Sequence, residues 1–453
     1  MSDELISRKE GQESNECSGP IDFMKTEMAR RGFIRVGFGG LLSLIAMQQT
    51  LNRALAQVPA RVSGGVRPKS VILLWMGGGP THIDTWDPKP GHKNGGTTRA
   101  INTRVPGVQI GHYLPQVAEQ MDKICLIRSM TSNEADHTRA TYFLQTGYKP
   151  NPTMVHPHIG SIVSKELGEK APQYPLPHFI SINGGTLGAG FLGAGHNAFV
   201  VQNPSRPVDN LELPQGLDDQ RFRERLTFLN YFEEKVWKVT GDPKVKARYD
   251  VYNKALNMMS PQVRQVLDIT QEPARLVQAY GDNNFGKGCL LARRLVEAAV
   301  KSGTSTFIEV HSGGWDMHNG IFRALETKMP ELDAAMATLL RDLAERRLLN
   351  DVIVLWMGEF GRTPHINNNE GRDHYARAFS IALAGGGIRG GHVIGATSAD
   401  GSEVVERKVT VPDLIATLYT ILGIDVAKVI YNTLGRPMRL VDPEGAPIQE
   451  LLA

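Results

Sequence analysis

Three times in this chain a short, largely apolar run ends in glycine or polar residues that carry carboxylate and imidazole. Residues 71–76 give way to GGGPTHIDTWDPKP, residues 306–310 to HSGGWDMHNG, and residues 352–357 to GEFGRTPHINNNEGRDHY. Runs of this length, bounded by turn residues, read as strands buried on both faces. Residues 124–127 and 379–383 have the same form. Between them, residues 290–301 stop before Gly303, and residues 331–349, with apolar side chains three and four apart, stop before Asn350, as helices do. Strands alternating with helices predict an α/β fold, a doubly wound, largely parallel sheet with helices on both faces. In such a sheet the C-terminal ends of the strands share one edge, so the polar loops are expected to meet there.

The rest of the chain narrows the classes of function. Of 453 residues, 50 are basic and 47 acidic, and a formal charge of +3 leaves no electrostatic footprint for nucleic acid. A hydrophobic content of 41% supports a large core. Residues 204–280 differ from the rest: Phe222, Leu226, Leu229, Phe232 and Val236 stand at helical spacing among charged residues and predict a helical insertion. The cysteines lack metal-knuckle spacing, and Cys125 and Cys289 read as two buried thiols rather than a disulfide.

The N-terminal residues are expected to lie outside this fold. Residues 1–29 are polar, and Arg30-Arg31 precede VGFGGLLSLIAM, an apolar run too short to span a bilayer. Ala54 and Ala56 offer an A-x-A cleavage pattern. Residues 1–56 therefore read as a twin-arginine signal peptide handed to the export machinery, with an uncleaved anchor as the alternative, and residues 57–67 as a linker. The folded part, residues 68–440 with a C-terminal tail at 441–453, is expected in the periplasm or secreted.

Within the polar loops, Asp316 and His318 lie two residues apart, so in extended backbone both point to one side, a chelating geometry. His374 supplies a third donor from another loop. This mixed nitrogen and oxygen set suits a divalent transition metal such as zinc or manganese better than calcium. Glu359 reads equally as a ligand or as the ion-pair partner of Arg362. His82, taken alone, reads as a capped turn histidine.

At these residues the chain resembles a known family. LLWMGGGPTHIDTWDPKP, HPHIGSIVSKELG, GGWDMHNG and GEFGRTPHINNNEGRDHY are similar to motifs of the DUF1501 family, exported proteins grouped with the alkaline phosphatases and sulfatases. The resemblance implies an alkaline phosphatase/sulfatase-like fold with one or two metal ions at the strand ends. Asp316, His318 and His374 match the first ion's ligands. Asp84 or His82, with Glu359, matches the second ion's, although Phe360 stands where a paired histidine belongs. Counting back from Thr146-Gly147, the nucleophile's place falls on His137, next to Thr138. Either Thr138 is the nucleophile, or His137 is a ligand or base, or the site does no chemistry. Cys125 lacks the Cys-x-Pro-Ser-Arg context of a sulfatase nucleophile. Arg139, Arg362 or Arg372 would add positive charge for an anionic transition state. The implied activity is metal-dependent hydrolysis of phosphate or sulfate esters, including those on carbohydrates. The alternative is a non-catalytic, metal-binding or carbohydrate-associated protein that keeps the fold.

Overall fold

A computed structural model describes residues 69–452, apart from 209–210, 214–215, 243–244, 246–247, 249–251, 253–254 and 433–434. The signal peptide and the linker expected from the sequence lie outside the described residues. One sheet of nine strands organises the rest: β1 (Ser70–Met76), β2 (Ile124–Thr131), β3 (Phe179–Ile182), β4 (Phe199–Val201), β5 (Phe307–Ser312), β6 (Val352–Met357), β7 (Phe379–Gly385), β8 (His392–Ile394) and β9 (Val409–Thr410). Their order is β8-β2-β7-β6-β1-β5-β3-β4, with β9 beside β2. Eight strands share one direction, and β7 alone runs against both of its neighbours, β2 and β6. β6 and β7 are joined without a crossover helix, and a strand that returns in this way must come back antiparallel.

The alternation of side chains along β1 shows why both faces need cover. Ile72, Leu74 and Met76 enter one core with Leu290, Leu291 and Leu295 of α4 (Asn284–Lys301) and Leu332 and Leu339 of α5 (Ile321–Glu345). Val71, Leu73 and Trp75 enter the other with Phe143 and Leu144 of α1 (His137–Thr146), Ile162 and Val163 of α2 (Ile159–Glu166) and Leu414 and Leu418 of α6 (Val411–Ile421). The fold is thus doubly wound. Cys289 lies in the first core and Cys125 in the second; both are free thiols, and burial pushes Cys125 up to about 12.

Two elements differ from the sequence reading. α5 begins ten residues before Glu331 and runs through Pro330, its buried leucines and methionines outweighing the missing N–H. Residues beyond 440 pack: Val441, Ile448 and Leu451 are buried in the second core. In the insertion, α3 (Asp219–Thr240) is followed by short helices at Pro261–Leu267 and Ala274–Tyr280, and Val263, Leu267 and Tyr280 join the first core. Among the described residues no helix is long and apolar enough to cross a membrane.

Candidate metal centre

The strand registers bring the polar loops level. Met76 pairs with Ser312 and Trp75 with Met357, so β1, β5 and β6 end within one residue of each other. Beyond them Gly77 accepts from the Trp315 N–H at 3.2 Å and donates to Ser312 O at 2.9 Å, which folds the loop after β5 over the end of β1. Gly78 permits this. Its φ is 118°, and a Cβ there would stand 2.4 Å from the Asp316 nitrogen. His374 arrives on a two-residue ladder opposite Arg362. His137 opens α1, where Asp136 caps the first turn by accepting from the Arg139 N–H.

Asp316 is the hub of what these loops deliver. Its Oδ1 lies 2.9 Å from His318 Nε2 and 3.3 Å from His374 Nε2, and its Oδ2 lies 3.4 Å from His137 Nε2. The Nε2 atoms of His318 and His374 are 3.1 Å apart. Ligands held at about 2.0–2.1 Å by a tetrahedral ion stand about 3.3 Å from one another. The donors already have that spacing.

The opposite nitrogen of each ring fixes its tautomer. His318 Nδ1 is 2.7 Å from Asp373 Oδ1, His137 Nδ1 is 2.7 Å from Glu359 Oε1, and His374 Nδ1 is 2.9 Å from the Ala135 carbonyl. Carboxylate and carbonyl oxygens only accept, so each Nδ1 carries the proton and each Nε2 turns a lone pair inward. Arg362 Nη1 donates to His318 Nε2 at 3.3 Å, consistent with that assignment. His137 Nε2 is buried and has no hydrogen-bond partner. Lone pairs and a carboxylate gathered this closely repel one another unless a cation sits among them, and the donor set fits a divalent transition ion.

Burial by itself would raise the Asp316 carboxyl. The bound Arg362 guanidinium overrides burial and holds it down at about 2. Arg362 is buried and spans Asp316, the carbonyls of Gly78 and Gly79, and Arg372 O. It therefore locks Asp316 to the loop after β1 and does not face solvent, where a substrate would need it. Glu359, nearly buried, accepts from the Gly78 N–H at 2.9 Å while holding His137. Phe360, in the place expected of a paired histidine, packs its ring 5.0 Å from that of His137 and 4.8 Å from that of His374.

Other candidates stand apart from this cluster. Both carboxylate oxygens of Asp84 face Arg372, at 2.7 and 3.2 Å, and each also accepts from a threonine hydroxyl, of Thr81 or Thr98. His82 is buried with Nε2 3.0 Å from the Gly401 carbonyl, and burial lowers its basicity. The pair expected beside Glu359 at a second ion is thus turned into the protein by an internal ion pair. Thr138 is exposed at the second position of α1, and Arg139 is exposed and paired with Glu134 at 2.8 Å.

Sequence reasoning passed over one buried network. Glu309 of β5 has no exposed surface; it accepts from Gln145 Nε2 and Thr186 Oγ1 at 2.7 Å each, and faces His158 Nε2 at 3.3 Å and His311 Nε2 at 3.2 Å. The signal was a single charge inside an otherwise uncharged strand.

A doubly wound, mostly parallel sheet thus carries a carboxylate and imidazole cluster on its strand ends. The chain belongs to DUF1501, a family described as proteins of unknown function, whose model matches residues 68–452. No curated protein matches it in sequence. Solved structures similar to it include a sulfatase from Pseudoalteromonas sp., 15% identical over 84% of this chain and 72% of that one, with a TM-score of 0.36. A protein in the alkaline phosphatase superfamily from Vibrio parahaemolyticus is 14% identical over 86% of this chain and 78% of that one, with a TM-score of 0.33. An alkaline phosphatase from an Antarctic bacterium is 14% identical over 71% of this chain and 93% of that one, with a TM-score of 0.31.

Proposed function

We propose that this chain is an exported, metal-dependent hydrolase of phosphate or sulfate esters. The observation that carries the reading is the set of imidazole lone pairs turned onto the ionised Asp316, each fixed by an acceptor behind its ring. Asp316 Oδ1, His318 and His374 would hold one ion, zinc ahead of manganese because imidazole donors outnumber carboxylate. When bound, that ion supplies Lewis acidity and fixed positive charge to an anionic ester. The protein's own groups do the remainder. Arg362 keeps Asp316 ionised and in place, Asp373 and the Ala135 carbonyl orient the two ligand rings, and the partly exposed His137 stands at the mouth on the other oxygen of Asp316.

The N-terminal segment supports a location outside the cytoplasm, where esters on carbohydrates are available substrates. One observation favours a second, non-catalytic metal-binding reading: Thr138, the expected hydroxyl nucleophile, faces solvent, and Asp84 and His82 are committed elsewhere. Elemental analysis of protein purified without chelator, wild type beside His318→Ala, tests the metal. The wild type is expected to hold close to one equivalent and the variant almost none; equally low metal in both would sink the proposal. A panel of chromogenic phosphate and sulfate esters separates the two readings, since metal-loaded protein inert to the whole panel is the non-catalytic one.

A further inference from the structure

We propose that His137 is a metal ligand, the third imidazole on the ion, and that Glu359 is the outer partner that holds it there. The inference rests on the metal-binding part of the reading above, which the hydrolase and the non-catalytic function share. It adds a donor to the set of Asp316, His318 and His374.

His137 Nε2 is closed off from solvent, has no hydrogen-bond partner, and faces Asp316 Oδ2 at 3.4 Å. Two ligands of one tetrahedral ion keep about that separation. A ring protonated at Nδ1 has only a lone pair at Nε2, and a buried lone pair set against a carboxylate, with no donor to either, is unfavourable. A cation seated between them removes the conflict. His137, Asp316 and His374 each offer a donor atom within 4.8 Å of the others'. His374 and Phe360 pack against the His137 ring, with centroids at 4.3 and 5.0 Å, and limit its rotation away from that point.

Behind the donors, all three rings are built alike. Nδ1 of His137 stands 2.7 Å from Glu359, as Nδ1 of His318 does from Asp373, and Nδ1 of His374 stands 2.9 Å from the Ala135 carbonyl. A carboxylate or carbonyl in that position is the usual outer partner of a ligating histidine, fixing its tautomer and raising its basicity. Glu359 has 3% of its side chain exposed and accepts from the Gly78 N–H at 2.9 Å, so it anchors the ring to the loop that lies against Asp316.

Charge points the same way. Among the described residues of the cluster, the carboxylates of Asp316, Glu359 and Asp373 meet one guanidinium, that of Arg362, and a divalent ion makes the set neutral. The N-terminus of α1 by itself disfavours a cation, and Glu359 beside it offsets that end of the helix. With its lone pair on the ion, His137 is withdrawn from acid and base work. Of the roles its place in the sequence allows, this geometry favours ligand over base.

The test titrates the chelator-stripped full chain with zinc and records the proton spectrum of the cobalt-loaded protein in water. His137→Ala should bind zinc at least about a hundredfold more weakly than the wild type, and Glu359→Gln, which keeps an acceptor but removes the charge, about tenfold more weakly. The wild type should show three strongly shifted imidazole N–H signals, with one of them missing from His137→Ala. Wild-type affinity in His137→Ala, or a full set of shifted signals in it, would overturn the inference and leave a three-ligand ion in place. If His137→Ala does not fold, Glu359→Gln decides, and unchanged affinity there would overturn the inference. A wild type that takes up no metal would remove the site and the inference together, whereas a metal-loaded wild type inert to every ester would remove the hydrolase reading alone.

Discussion

Replacing Asp84 by alanine should cost stability and leave the metal in place, whereas Asp316→Ala should lose the metal. Asp84 and Arg372 have no exposed side-chain surface, and the pair is held by two bonds at 2.7 and 3.2 Å. Removing one partner of such a pair leaves a desolvated charge without its counter-ion, at a cost of about 3–5 kcal/mol. Arg372 keeps Asn94 O at 2.7 Å and Thr363 O at 3.1 Å, but neutral carbonyls do not replace a carboxylate. For the domain spanning residues 68–452, an unfolding entropy of about 2 cal/mol/K per residue amounts to about 0.8 kcal/mol/K, so the melting temperature should fall by about 4–6 °C. Asp316 is itself 45% exposed, but its loss leaves the buried Arg362 guanidinium without its carboxylate, so the melting temperature of chelator-treated protein should fall there too and metal content is what separates the two variants. Calorimetry of metal-free protein, paired with metal content per folded molecule, reads both quantities. If Asp84→Ala melted like the wild type and lost its ion, the carboxylate would be a ligand and the reasoning from its ion pair would be wrong.

Acid should act on the buried network. Burial would raise the Glu309 carboxyl, but the facing His158 and His311 outweigh it and hold Glu309 well below the usual range. A group depressed on folding contributes stability that is present above its unfolded value, about 4.3, and lost as pH falls towards its folded one. The melting-temperature gap between wild type and Glu309→Gln should therefore be widest above pH 5 and close as the pH falls below about 4; a gap constant with pH would contradict the assignment. Replacing Arg30 and Arg31 by lysine should leave uncleaved precursor in the cytoplasm on fractionation, and unaltered export would point to another route.

Much of the site was legible because strand ends announce themselves. Asp316 and His318, two residues apart after an apolar run, and His374 beside Asp373 could be placed on one edge from sequence pattern alone, and they meet there. The direction of β7 was legible in principle, since residues 358–378 lack a helical segment for a crossover. The helix read at 331–349 spans Ile321–Glu345, because packing of its buried face carries it through Pro330. Asp84 could not be sorted from Asp316 by spacing: both follow a strand and a glycine-rich turn.

The sequence by itself determined the alternation of strand and helix, hence a sheet covered on both faces, and which loops would share its C-terminal edge, because periodicity and turn chemistry are local. Tertiary structure decided which polar groups on that edge face one another. Arg372 reaches Asp84 across 288 positions in the chain, and Glu359 reaches His137 across 222. A carboxylate's fate depends on whether a guanidinium or a set of imidazole lone pairs arrives opposite it, and on how much water remains between them. Those are properties of distance and burial, which no stretch of neighbouring residues encodes.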